Sequence, residues 1–215
     1  MSPFPVQMED HWRLPPGTDP GRARLMWLMP VGDHPQIAEL ARLGQQRLAG
    51  LDGLDHVPRQ WLHMTTLIAG FTDQITPDQI HLMAGEARQL LARTPPITIT
   101  AGRILYHPRA VMLGVGLPGA LDPVLQAAQD ATRIATGHGG DLYSEPWTPH
   151  VTLAYSNTAQ PAGPVIAALG RELPKQQAAV TSISLVSQTP EQLWTWHPVT
   201  DIPFGTELSP AAESR

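Results

Sequence analysis

RQWLHMTTLIAGF, residues 59–71, and WTPHVTLAYS, residues 147–156, are the two stretches on which the reading of this chain turns. Each is an apolar run that carries a His, one apolar residue and a Thr: His63-Met64-Thr65 and His150-Val151-Thr152. Short apolar runs of this kind read as strands. Strand side chains alternate, so residues i and i+2 share a face about 7 Å apart, and each run presents an imidazole and a hydroxyl together. With 9 His and 18 Thr in 215 residues, chance alone predicts 9 × 18/215, or about 0.75, such triplets, so the triplet by itself is weak. Context strengthens it: both copies follow an apolar strand and a helix, and no other His has Thr two places on.

Outward from the first run, ARLMWLMP (23–30) predicts a buried strand closed by Pro30, and HPQIAELARLGQQRLAG (34–50) a helix with Ile37, Leu40, Ala41, Leu43 and Leu48 near one stripe. TPDQIHLMAGEARQLLAR (76–93) opens with a Thr N-cap and Pro at the first helical position. Pro95 and Pro96 stop that helix, and ITITAGRIL (97–105) and AVMLGVGL (110–117) then read as a hairpin across His107-Pro108. The pattern starts again with a helix at 121–137, a Gly-rich loop at 138–149 and the second motif strand. A helix at 164–173 and a hairpin of strands at 178–188 and 192–199 complete it. Leu25 lies 63 − 25 = 38 residues before His63, and Met112 lies 150 − 112 = 38 before His150, which suggests an internal duplication. The expected fold is α+β and bilobal with a pseudo-two-fold axis, one domain at 22–205 with lobe segments of about 22–108 and 109–205. An N-terminal arm (1–21) and a flexible tail (206–215) flank it.

A chain of 215 residues fits one large domain or two small lobes. Charged residues are 15%, against about 25% in typical domains. The absence of Cys removes disulfide and thiolate chemistry. The net charge of −5 argues against a general grip on duplex nucleic acid, so any nucleic-acid contact must be local. No apolar stretch approaches the length of a membrane span, and the N-terminus lacks a signal-peptide pattern. A monomeric cytoplasmic protein is the expectation.

If a pseudo-two-fold axis makes the two strands face one another, two imidazoles and two hydroxyls surround one phosphate-sized site. Opening a 2′,3′-cyclic phosphodiester with water needs a base for the nucleophile and an acid for the leaving ribose oxygen, and imidazole serves as either because it titrates near 6.5. Thr hydroxyls can donate to non-bridging oxygens. Neither metal nor cofactor is required, and no His-x-His or His/acid spacing recurs to suggest a metal site.

These residues carry a resemblance. WLHMTTLIAGF and WTPHVTLAYS resemble the paired signatures of the two-histidine (2H) phosphoesterase superfamily, which includes bacterial 2′-5′ RNA ligase-like proteins and cyclic nucleotide phosphodiesterases; the similarity runs from about residue 11 to 205. It implies two antiparallel sheets facing a central cleft with helices outside, and gives His63, Thr65, His150 and Thr152 the catalytic positions. The implied activity is hydrolysis of a 2′,3′-cyclic phosphate or a 2′-5′ phosphodiester. RNA 2′-5′ end ligation, a non-catalytic nucleotide sensor and other acid/base chemistry are the alternatives. One departure stands out: the family pattern has an apolar residue after the first His-x-Thr, where this chain has Thr66. Thr66 is expected to face away from the cleft.

Alternation places Arg59, Trp61, His63, Thr65 and Leu67 on one face. Trp61 is then a candidate to stack on a base or to fill the lobe interface, and Arg59 to hold a phosphate or to stay solvated. On the second strand Thr148, His150, Thr152, Ala154 and Ser156 share the cleft face, with Tyr155 in the core. Tyr143 and Trp147, in the loop before that strand, are candidates for substrate selection. His11, Trp12 and Arg13 belong to a segment that either closes over the cleft or simply docks, with Trp12 and Arg13 as candidate substrate contacts. His34, His56, His81, His107 and His197 read as structural or surface residues.

Overall fold

The computed structural model describes residues 4–13, 16–17, 19, 21–116, 119–142, 146–189 and 194–205. In chain order the elements are β1 (Gln7–Met8), β2 (Arg24–Pro30), α1 (Pro35–Leu48), β3 (Leu54–His56), a 3₁₀ turn (Arg59–Trp61), β4 (His63–Phe71), α2 (Pro77–Leu91), β5 (Ile97–His107) and β6 (Ala110–Gly116). They continue with α3 (Asp122–Thr136), β7 (His150–Ser156), β8 (Gln160–Pro161), α4 (Ala162–Leu169), β9 (Glu172–Val180), β10 (Ser182–Gln188) and β11 (His197–Pro203). The expected Thr cap on the second helix is present as a full capping box: Thr76 Oγ1 accepts from Gln79 N–H, and Gln79 Oε1 accepts from Thr76 N–H.

Two antiparallel sheets result, one ordered β11-β10-β2-β4 and the other β3-β7-β6-β5-β9. Each draws strands from both chain halves, because β5 pairs with β6 and β10 pairs with β2. The helices cross over too: α2 and α3 pack together over β4 and β11, whereas α1 packs on β7 and β9 beside α4. Burial follows. Trp27 on β2 is fully buried, and its Nε1–H donates to Thr132 Oγ1 of α3 at 3.1 Å, so this indole joins sheet to helix without leaving its polar atom unpaired.

Several expectations from simple alternation fail for identifiable reasons. Residues 59–61 are a 3₁₀ turn rather than the start of a strand; it follows Pro58 and packs so closely on Gly32 that a Cβ there would lie 2.0 Å from the Arg59 carbonyl oxygen. Both motif strands carry a bulge just after the Thr. In β4, Thr65 pairs with Leu28 but Leu67 with Trp27, so Thr66 is the extra residue. In β7, Thr152 pairs with Met112 but Ala154 with Val111, so Leu153 is the extra residue. A bulge resets the alternation. Leu67 therefore turns into the core with Trp27, Ala154 is fully buried, and Tyr155 rejoins the face of His150 and Thr152 instead of entering the core. Farther on, the predicted strand 178–188 is two strands, with the chain passing from one sheet to the other at Thr181. Trp194 and Trp196 precede β11 rather than belonging to it, and the last helix lies at 162–169.

The sheets are stitched where the motif strands meet. Ile68 of β4 and Asp141 exchange both backbone hydrogen bonds, Ile68 N–H to Asp141 O at 2.9 Å and Asp141 N–H to Ile68 O at 2.8 Å. Gly140 permits this approach: its φ is +74°, and a Cβ would sit 2.6 Å from the Ile68 carbonyl oxygen. Gly140→Ala is expected to lower stability by about 1–3 kcal/mol and to reduce activity with it, as read by urea unfolding. Thr66 offers the opposite case: it is buried and its hydroxyl has no hydrogen-bond partner among the described residues. Thr66→Val keeps the shape and removes the orphan, so it should raise stability by about 1 kcal/mol; an unchanged or lowered unfolding midpoint contradicts the assignment.

Candidate active site

His63 opens β4 and His150 opens β7, and the backbone treats them alike. His63 Nδ1 lies 2.8 Å from the Trp61 carbonyl oxygen, and His150 Nδ1 lies 2.7 Å from the Thr148 carbonyl oxygen, each two residues upstream. A carbonyl only accepts, so Nδ1–H donates in both cases and the neutral ring presents a bare Nε2. Thr65 and Thr152 follow on the same faces, Thr65 partly exposed and Thr152 nearly buried. Burial lowers the pKa of both imidazoles; that of His63 falls to about 4, and the charge of His150 adds to the lowering. The two rings are thus electrostatically coupled.

Register defines the surface around them. On the five-stranded sheet, Gly114 stands between His150 and Arg103, Met112 between Thr152 and Leu105, and Ala110 between Tyr155 and His107. The opposite face carries the buried Val151, Leu113 and Ile104. Arg103 and His107 therefore share the face of His150, and alternation around a bulged, glycine-containing strand gives no signal for either. The pKa of His107 is lowered by burial, then by the neighbouring Arg109, with His150 contributing a smaller effect. Just before β11 of the other sheet, Trp196 packs against His63 in a T-shaped pair with ring centroids 4.8 Å apart, and also packs on Trp61 at 4.8 Å. Only spatial proximity reveals Trp196; its Trp-x-Trp context reads as an ordinary strand.

The candidates chosen from sequence divide accordingly. His63, Thr65 and Trp61 belong to one wall, and His150 and Thr152 to the other. Trp147 Nε1–H donates to the Thr65 carbonyl oxygen at 3.1 Å, which fastens the loop before β7 to the first motif strand. Arg59 is directed elsewhere: its Nε–H donates to the Gly32 carbonyl oxygen at 2.9 Å, beside α1. Tyr143 lies outside the described residues, as does the 206–215 tail. The N-terminal segment is docked. β1 pairs with β8, His11 N–H donates to the Ser156 carbonyl oxygen at 2.8 Å, and the His11 ring stacks on Tyr155 at 4.2 Å. Trp12 packs on Tyr155 and faces Trp194 at 6.2 Å, while its Nε1–H donates to Asp55 at 2.7 Å; Arg13 is exposed. Among the described residues no three His, Asp or Glu side chains converge as metal ligands, and no helix is long and apolar enough to cross a membrane.

Burial also lowers the pKa of His11 to about 4, helped by Arg109. Above the ordinary imidazole value near 6.5, folded and unfolded chains are both neutral at His11 and His63, and neither group makes stability depend on pH. Below it the unfolded chain takes up protons that the folded chain refuses, so stability falls as pH drops from about 6.5 toward 4. Urea midpoints should therefore fall between about pH 7 and pH 5, and fall less in His11→Phe, which keeps a ring on Tyr155; an equal drop in both proteins contradicts the burial argument.

The profile of the 2′-5′ RNA ligase superfamily matches residues 29–191, a span holding both His-x-Thr strands. No curated protein matches the chain. Among solved structures, a protein of Thermus thermophilus superposes with a TM-score of 0.60 at 16% identity, covering 86% of this chain and 100% of that one. LigT of E. coli complexed with NADP+ gives 0.59 at 17% identity, covering 86% and 99%. LigT complexed with 3′-AMP gives 0.59 at 18%, covering 85% and 98%. At these identities the superpositions establish the shared α+β fold, and the profile supplies the kinship: this chain belongs to the 2′-5′ RNA ligase superfamily of 2H phosphoesterases.

Proposed function

We propose that this chain is a metal-independent phosphoesterase that opens a 2′,3′-cyclic phosphate, or cleaves a 2′-5′ phosphodiester, in a nucleotide or short RNA, with His63 and His150 as general acid and base. The observation that supports this most strongly is the matched pair of imidazoles, each anchored through Nδ1 to a carbonyl two residues upstream, which makes Nε2 the basic nitrogen of the neutral ring. General acid/base hydrolysis needs one neutral and one protonated ring. Coulombic coupling disfavours the doubly protonated pair, because a proton on His150 lowers the affinity of His63 for a second one. A bound phosphate anion draws a proton back into the pair. Thr65 and Thr152 are assigned to the non-bridging oxygens, where a donated hydrogen bond strengthens as negative charge shifts.

Substrate size follows from charge. The net charge of −5 offers no broad field for a long RNA, while Arg103 and His107 put local positive or protonatable groups on the His150 face. LigT has been crystallised with 3′-AMP and with NADP+, both small nucleotides, which supports nucleotide-sized ligands here. Trp61, Trp147 and Trp12 remain the proposed aromatic contacts. A monomer is proposed as the working form.

The decisive assay is hydrolysis of the four nucleoside 2′,3′-cyclic monophosphates in excess chelator, with 2′- and 3′-phosphate products resolved. Turnover is expected to survive chelator, and His63→Ala and His150→Ala should each lower kcat/KM by about 10²–10⁴-fold. A folded His63→Ala or His150→Ala protein with undiminished turnover overturns the two-histidine scheme. Retained nucleotide binding without turnover in the wild type points instead to a sensor.

A further inference from the structure

The two motif histidines share a backbone setting but not their surroundings. Against His63 stands an indole: the Trp196 ring lies 4.8 Å away at an interplanar angle of 74°, and Trp61 packs behind it at 4.8 Å and 78°. Trp196 is only 8% exposed and closes a small apolar cluster with Met26, Leu28 and Val186. Among the described residues no aromatic ring packs on His150, and the residue beside it in its row is Gly114, which has no side chain.

We propose that Trp196 is a positioning residue that keeps His63 the unprotonated member of the pair, so that His63 takes the proton of the attacking water and His150 supplies one to the leaving ribose oxygen. This assignment rests on the hydrolytic reading above. The step balances: the water oxygen bonds to phosphorus as its proton passes to His63 Nε2, the bond from phosphorus to the ribose oxygen breaks, and the proton on His150 Nε2 moves to that oxygen. One water is consumed. The pair ends with its proton on the other ring, and exchange with solvent restores it.

An indole this close acts on a histidine in two opposite ways. Its π-face attracts an imidazolium and so favours protonation. Its bulk excludes water and so disfavours protonation. What surrounds His63 decides between them. On β2 the residue opposite is Pro30; on the segment bearing Trp196 the next residue, His197, is exposed; from β7 the one titratable group acting on His63 is His150, a like charge when protonated. Among the described residues no carboxylate acts on the ring to stabilise its cation. The carbonyl of Trp61 alone favours the charge, and burial outweighs it, leaving the ring neutral down to about pH 4. Exclusion of water is therefore the contribution assigned to Trp196. Because the residue comes from the segment before β11, more than a hundred positions from His63, it is the closing part of the chain that makes the pseudo-symmetric site asymmetric.

The test follows the His63 ring by NMR through a pH titration in wild type, Trp196→Phe and Trp196→Ala, alongside pH profiles of kcat/KM on a 2′,3′-cyclic mononucleotide. In Trp196→Ala the His63 pKa should rise by at least about one unit, with a smaller rise in Trp196→Phe. The acid limb of kcat/KM should move with it. Near pH 5 that costs about two-fold in kcat/KM for a one-unit rise and about thirty-fold for a full return to 6.5, with little change near pH 8. His150 should move far less. A His63 pKa that stays fixed or falls in Trp196→Phe overturns the proposal, and this conservative variant retains a ring in the cluster, so the result does not depend on the Ala protein folding. If the His63 pKa rises as expected but wild type turns over no cyclic nucleotide, Trp196 retains its effect on His63 and the hydrolytic reading fails instead.

Discussion

The geometry of the site hangs on the paired backbone hydrogen bonds between Ile68 and Asp141. β4 is the edge strand of its sheet, so its outer backbone groups need partners, and the loop entering β7 of the other sheet supplies them. The stitch sets two strands from different sheets side by side, which brings His63 and His150 within electrostatic reach of one another. Trp147 reinforces it by reaching from the same loop to the carbonyl of Thr65. Gly140 makes it possible, since any side chain there would meet the Ile68 carbonyl. A glycine in the loop thus acts on the two motif strands through the backbone.

Pseudo-symmetry then supplies two similar half-sites, and the details separate them. Both motif strands bulge at the third residue after the His, and both histidines spend Nδ1 on a carbonyl two residues back. The extra residues differ in fate. Leu153 turns toward α1, where a Cβ on Gly44 would approach its side chain to 2.9 Å, whereas Thr66 brings a hydroxyl into a place that offers it no partner among the described residues. Around the rings the divergence is larger: indoles beside His63, a bare glycine and then Arg103 beside His150. The interleaving of the chain halves is the cause, because each half builds part of the other's wall and the two walls are free to differ.

How much of this is legible in the sequence depends on the range over which each feature is encoded. His-x-Thr on a strand is a local statement, since alternation over three residues survives most tertiary context; the four candidate catalytic residues, the capped helix at Thr76 and most of the strand and helix order can be read directly. Beyond the bulges, alternation misleads. One inserted residue exchanges the faces of everything that follows, which is why Leu67 and Ala154 enter the core and Tyr155 does not. Alternation assigns Arg59 to a strand, but the short helical turn after Pro58 directs its guanidinium to Gly32.

By itself, then, the sequence determined which residues are candidates for acid/base chemistry and in what kind of element they sit, because those depend on neighbours within a few positions. Tertiary structure alone decided what surrounds them. The passage between sheets at Thr181 sends β10 back beside β2, and the returning segment delivers Trp196 to His63; the pairing of β5 with β6 places Arg103 in the row of His150. The docking of the first residues delivers His11 to Tyr155. No local pattern encodes these meetings, since each joins segments far apart in the chain whose contact exists only after both sheets have formed and burial has selected the faces they present.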